Sequence, residues 1–235
     1  MPGARDTLTC GKDRDDAAPP RGASNAATAS ARRGAFTHEP VYGPGLTSIV
    51  RVHIDEAVLA PIRARYGDPA VLEWKGEVSA EEMALVRYEA GRRHDVTLFI
   101  FRGDPLALIR KPSYPPDVWR TPGGGVKEGE DFVGGVLREA LEETGAVIQL
   151  ERYVLRTEAR FRAAGEEERW QTHVFSARTE TAELDPLDTH EIEAARWGTA
   201  EELAGPIRER ILATERALWS YRAALHDATL EALAT

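Results

Sequence analysis

A single cysteine, Cys10, is all the sequence holds, so no disulfide framework can form and a reducing cytoplasm is the expected compartment. No apolar run approaches the roughly 18 residues that a membrane-spanning helix needs. Only four of the 30 Lys and Arg residues are lysines (12, 75, 111 and 127), and acids outnumber bases to leave a net charge of −9. That balance speaks against binding a nucleic-acid polymer, which needs a basic patch to neutralise phosphates. A small anionic substrate remains possible, because a cation and a few local Arg or Lys residues can hold it. Ser, Cys and His form no nucleophilic constellation, which disfavours covalent catalysis. His94, His173 and His190 lack the paired spacing of a metal site. The Arg32-Arg33 pair is followed by no apolar stretch, and Asp6, Asp13, Asp15 and Asp16 stand nearby. Export and organelle-transit signals are therefore not expected.

What is present suffices for a core: 42 % of the 235 residues are apolar, enough for one domain with additions or two small ones. Residues 1–44 are rich in Ala, Gly, Pro, Ser, Asp and Arg, cannot bury enough surface to offset ordering entropy, and are expected to be a disordered leader. Residues 45–93 read as an N-terminal α/β addition: strand IVRVHI, helix DEAVLAPIRARYG, strand AVLEWKG, then a helix over 80–92. Ser79 with Glu82 three residues on forms the capping-box pattern that opens that last helix. Packing, dimerisation (a homodimer) and partial closure of a site are all open roles for this addition.

The core is expected over 94–205. VTLFIF (96–101) suits a strand buried on both faces, and LALIRK (106–111) returns beside it. VIQLERYVLRTEARF (147–161) and RWQTHVFSART (169–179) read as long antiparallel strands around a charged turn, AAGEEE. A short strand ends near Trp197, followed by a helix. Residues 206–235 read as an amphipathic helical segment packing on the core, with a break near His226. The predicted fold class is α/β (α+β), with helices on both faces of a mixed sheet.

The chemistry concentrates in Gly124 to Ala146, GGVKEGEDFVGGVLREALEETGA. Gly124, Glu130, Arg138, Glu139, Glu142, Glu143 and Gly145 follow the spacing G-x5-E-x7-R-E-x-x-E-E-x-G. Chance supplies seven such fixed positions about once in 10⁷–10⁹ alignments, and a chain of this length offers far fewer registers. Pro122 to Gly125 can turn tightly or bring bare backbone N–H groups against an anion. Glu130 or Asp131 opens a helix that Gly145 closes. On that helix Glu139, Glu142 and Glu143 stand at i, i+3 and i+4 and share one face. Three stacked carboxylates repel one another unless a cation or Arg neutralises them. Hard divalent cations prefer such oxygens and take phosphate oxygens as further ligands. An ordinary solvent-facing acidic helix, laced with pairs such as Arg138 with Glu142, explains neither the glycine-rich entry nor Glu130.

This segment resembles the signature box of the Nudix hydrolases, and the flanking strand pattern extends the resemblance to roughly 95–205. The aliphatic positions of the box are softened here to Ala140 and Ala146. The resemblance implies an α/β/α sandwich and hydrolysis of a diphosphate linkage by water activated on Mg²⁺ or Mn²⁺. It makes Glu139, Glu142 and Glu143 the metal carboxylates, with Glu142 or Glu143 a possible base. It makes Glu130 and Arg138 a supporting ion pair, with Gly124 and Gly125 shaping the loop. A further catalytic Glu often follows the last long strand in this family, and Glu191 and Glu193 occupy that stretch; solvated loop acids are the alternative. Arg110, Lys111 and Arg120 just before the box offer cations to diphosphate oxygens or pair with surface acids. Trp119 or Phe161 stacks a base or sugar, or is simply core.

The expected substrate is a nucleoside diphosphate derivative or related nucleotide. Some subfamilies carry a proline about fifteen residues beyond the box; Leu155 to Phe161 holds none, which weakens an ADP-ribose reading. The alternative from another class is a catalytically silent Nudix-like module that binds a nucleotide and reports it to a partner. RNA decapping is a third, disfavoured by the acidic balance.

Overall fold

The computed structural model describes residues 54–88, 92–127 and 129–235. The expected leader over 1–44 and most of the expected strand IVRVHI lie outside the described residues. The elements, in order, are α1 (Glu56–Tyr66), β1 (Ala70–Glu77), α2 (Ala80–Tyr88), β2 (His94–Phe101), β3 (Leu106–Arg110), α3 (Phe132–Thr144), β4 (Gln149–Ala163), β5 (Glu166–Arg178) and β6 (Ala194–Gly198). A short helix α4 (Ala200–Glu202) then runs through a wide π turn (Leu203–Ile207) into α5 (Arg208–Leu212), and α6 (Ala217–Leu233) follows. No helix among the described residues is long and apolar enough to cross a membrane.

The six strands form one mixed sheet in the order β1-β4-β5-β2-β3-β6. β1 lies parallel to β4 and β2 parallel to β5, while the other neighbours run antiparallel. Strand alternation divides the core in two. Val96, Leu98 and Ile100 of β2 face one layer with Leu59 and Ile62 of α1 and Phe132, Val136 and Ala140 of α3. Phe99 faces the other, with Met83 and Val86 of α2, Ile211 of α5 and Tyr221 and Leu225 of α6. Apolar residues at 132, 136 and 140, and again at 207 and 211 or 221 and 225, repeat at helical spacing. The result is an α/β/α sandwich. Its helices present one apolar stripe each, and its central strands are buried on both faces.

Three details differ from the sequence expectations. Glu166, Glu167 and Glu168 belong to β5 rather than to a six-residue turn; only Ala164 (φ 50) and Gly165 (φ 83) make the reversal. The acids extend the strand because they are matched: Glu166 and Glu168 meet Arg87 at 2.6 and 2.8 Å, and Glu167 meets Arg162 at 2.9 Å. The C-terminal helix passes His226 unbroken, since that ring is buried with its Nε2 3.3 Å from Thr121 Oγ1. The break falls earlier, before α6, where Glu215 takes a left-handed φ of 54.

Candidate active site

The site lies where the loop before α3 runs along the edge of β2. Val96 donates its N–H to Gly124 O at 2.8 Å and Leu98 donates to Pro122 O at 2.9 Å, so the loop runs beside β2 like a short strand. Gly123 is required there. Its φ is 144, and a Cβ would drive into the Val96 carbonyl oxygen. A Cβ on Gly124 would overlap Glu139 Oε2, so that carboxylate sits directly on the loop backbone.

Helix α3 delivers the acids. Asp131 caps it, accepting from Gly134 N at 2.8 Å, and Gly145 closes it at φ 69. Glu139 and Glu143 are buried while Glu142 is half-exposed. Arg138 holds the array together. It donates through Nε to Glu130 Oε1 at 2.7 Å and through Nη2 to Glu130 Oε2 at 3.0 Å and Gly125 O at 2.8 Å. Its Nη1 reaches Glu139 Oε1 at 2.9 Å and Glu142 Oε2 at 2.6 Å. Hydrogen bonding from Arg138 and the Lys127 N–H holds the Glu130 carboxyl down at about 2. Glu139 is pushed the other way, mainly by burial, with Glu143 and Glu142 adding repulsion and Arg138 opposing it.

Glu143 accepts from the Gly123 N–H through Oε2. Its Oε1 is buried without a hydrogen bond among the described residues, facing Lys111 Nζ at 2.9 Å and Arg120 Nη2 at 3.8 Å. Lys111 also pairs with Glu191 from the loop before β6. Burial and the Arg120 charge push the Lys111 ammonium toward deprotonation, but Glu143, Tyr114 and Glu191 outweigh them and raise its pKa.

A cavity of about 440 Å³ opens over this floor, lined by Arg92, Asp95, Lys111, Arg120, Gly123, Gly124, Gly125, Lys127, Glu139 and Glu191. Of the residues picked out in sequence, Lys111, Arg120, Gly124, Gly125, Glu139 and Glu191 are thus brought together. Arg110 and Glu193 are not among the lining residues; they pair with each other at 2.6 Å. Arg120 donates to Tyr114 OH, to Thr121 O at 2.8 Å and to Gly123 O at 3.0 Å, so its whole guanidinium braces the loop. Trp119 lies under Arg110 and Arg196, whose guanidinium carbons are 5.5 and 4.5 Å from its ring. Phe161 is core, packed against Trp74 and Tyr221. Arg92 and Asp95 escaped sequence reading because they precede the box by some thirty residues, and only strand pairing brings them to it. Lys127 had a signal, its place inside the box.

A mixed sheet between two helical layers, with an acid-faced helix under a glycine loop and a cationic rim, defines an α/β protein whose site pairs carboxylates with cations. The NUDIX domain model matches residues 91–217, and the chain belongs to that family. Nudix hydrolase 25 of Arabidopsis thaliana is 35 % identical over 57 residues, which cover 24 % of this chain and 33 % of that protein. The chain thus spans about a third of the length of this curated relative. A MutT NUDIX hydrolase from Burkholderia pseudomallei is 28 % identical, with 46 % of this chain and 84 % of that one covered and a TM-score of 0.36. An Ap4A hydrolase from C. elegans is 21 % identical, with 60 % and 98 % covered and a TM-score of 0.41.

Nudix hydrolases generally use divalent metals, and the donor chemistry here fits one. Carboxylate oxygens suit a hard cation, and Glu139 Oε2 lies in the cradle that a Cβ at Gly124 would fill. Among the described residues no three acid, His or Cys side chains converge tightly enough to enclose an ion. Arg138 meets Glu139 and Glu142 through one nitrogen, while Lys111 meets Glu143.

Proposed function

We propose that this chain hydrolyses a phosphoanhydride, the diphosphate of a nucleoside diphosphate derivative, with the help of Mg²⁺ or Mn²⁺. One observation carries the reading: Glu139 of α3 lies against backbone Gly124 at the floor of a cavity rimmed by Arg92, Lys111 and Lys127, with Glu143 held on the Gly123 N–H and Glu142 on the same Arg138 that holds Glu139. Glu139, Glu142 and Glu143 would hold the cation. When bound, it offsets phosphate charge and acidifies water.

The chain's own residues do the rest. Lys111, Lys127 and Arg92 supply positive charge to the diphosphate oxygens, and Gly124 and Gly125 let those oxygens approach bare backbone. Arg120, with every guanidinium nitrogen engaged, fixes the loop. Arg138, clamped on Glu130, sets the pitch of α3 and the spacing of its acids. Glu191, exposed at the mouth and reached by Lys111, accepts the proton of the attacking water. Glu193 and Arg110, paired away from the lining, shape the loop that carries Glu191.

The test is turnover of a panel of nucleoside diphosphate derivatives with Mg²⁺ or Mn²⁺, with Glu143→Gln assayed beside the parent. The expected result is metal-dependent hydrolysis, lost or strongly reduced in the variant because one carboxylate that would hold the cation is gone, with both proteins melting cooperatively. Tight nucleotide binding with no turnover of any compound would replace the hydrolase reading by the silent binding module.

A further inference from the structure

Beside the cavity over the acids lies a second one of about 210 Å³, walled by Leu85 and Val86 of α2, Phe161 and Trp170 of the sheet, and Leu218, Tyr221 and Arg222 of α6. Arg92 and Asp95 line both cavities, so the two share a wall. The chemistry changes across it. One side is backbone, lysine and carboxylate; the other is largely aromatic and aliphatic, with one carboxylate, Asp95, beside two arginines, Arg92 and Arg222. We propose that this second cavity receives the nucleobase of the substrate and that Asp95 reads an N–H on the base edge. The proposal deepens the hydrolase reading and rests on it.

Asp95 is prepared for that task. Its Oδ1 accepts from Trp170 Nε1 at 2.9 Å and from Thr172 Oγ1, which fixes the carboxylate. Thr172 Oγ1 in turn meets Tyr221 OH at 2.7 Å, and that hydroxyl meets Thr157 Oγ1 at 2.6 Å. The far end of the carboxylate is less committed. Its Oδ2 stands 3.6 Å from Arg222 Nη2, too far for a hydrogen bond, while Arg222 Nη1 donates to Thr97 Oγ1 at 2.9 Å. An acceptor held this way selects a ligand group with donors, and the surrounding rings select a flat one. Arg92, whose guanidinium carbon is 5.9 Å from the Trp170 ring centre, stands at the boundary between the two cavities. At the rim, Leu85 is 53 % exposed, an apolar side chain left in water beside an apolar hollow.

Titration calorimetry on the full chain, with and without Mg²⁺, against ADP, GDP, CDP, UDP, ribose 5-phosphate and inorganic pyrophosphate tests this. At least one nucleoside diphosphate is expected to bind about tenfold or more tightly than pyrophosphate or ribose 5-phosphate. Asp95→Asn keeps an acceptor for Trp170 but turns an amide donor to the ligand, and should erase most of that margin. Leu85→Trp, a change at an exposed position that does not threaten folding, should erase it by narrowing the entrance. Pyrophosphate or ribose 5-phosphate binding as tightly as every nucleoside diphosphate would overturn the proposal. So would absence of nucleoside diphosphate binding in both conditions, or an unchanged margin in Leu85→Trp. Turnover with no effect of either variant sinks the base pocket and spares the hydrolase; Asp95-dependent binding without turnover does the reverse.

Discussion

At the scale of single residues, Arg138 is the member of the site with most to hold. It faces three carboxylates and a backbone carbonyl from one guanidinium, a geometry that a lysine's point charge cannot reproduce. Its grip on Glu130 has a pH signature. That carboxyl is held at about 2 against a usual 4.5, first by the hydrogen bond from Arg138. A folded value below the unfolded one stabilises the protein above the unfolded value, and the benefit is lost as pH falls through the folded one. Glu130→Gln should therefore be less stable than the parent in urea near pH 7, and the gap should close as pH drops from 4.5 toward 2. A gap that stays constant over that range would show that the pair contributes nothing through its charge.

At the scale of elements, α3 was the part most legible in sequence, because everything it needs is local. Its cap, apolar positions 132, 136 and 140, acidic face and closing glycine all lie within fifteen residues. The Ser79–Glu82 capping box was legible for the same reason, and both of its reciprocal bonds are present at 3.1 Å. The parallel register of β1 on β4, with Trp74 opposite Ala159, has no local signal, since nothing in either strand names its partner. The same holds for Asp95, which enters the site only through β2. The acids of the β4–β5 turn read as loop because they are charged; a cross-strand pair of Glu167 with Arg162 and ion pairs of Glu166 and Glu168 with Arg87 of α2 make them good strand residues. Asp131 carries the element-scale prediction. Asp131→Ala removes the side-chain acceptor of the Gly134 N–H and should cost about 1 kcal/mol in urea unfolding. A cost near zero would mean that packing alone positions the N-terminus of α3.

At the scale of the whole molecule, the site depends on segments outside the box. Helix α6 supplies Tyr221, Leu225 and His226 to buried positions, joins the hydrogen-bonded chain that ends on Asp95, and closes one layer of the sandwich. Removing residues 217–235 should thus abolish the cooperative thermal transition; a truncated chain that still melts sharply would show α6 to be an accessory. The net charge of −9 is compatible with a phosphorylated small molecule because cations, Arg92, Lys111 and Lys127, are gathered at one mouth with Glu139 of α3. The measurement that bears most directly on this account is hydrolysis of a nucleoside diphosphate derivative in ¹⁸O-labelled water with Mg²⁺, for the parent and Glu143→Gln. The account predicts turnover that stops when EDTA is added, label in a phosphate of the products, and loss of both in the variant. Label on a carbon-bound hydroxyl instead, or unchanged turnover in Glu143→Gln, would contradict it.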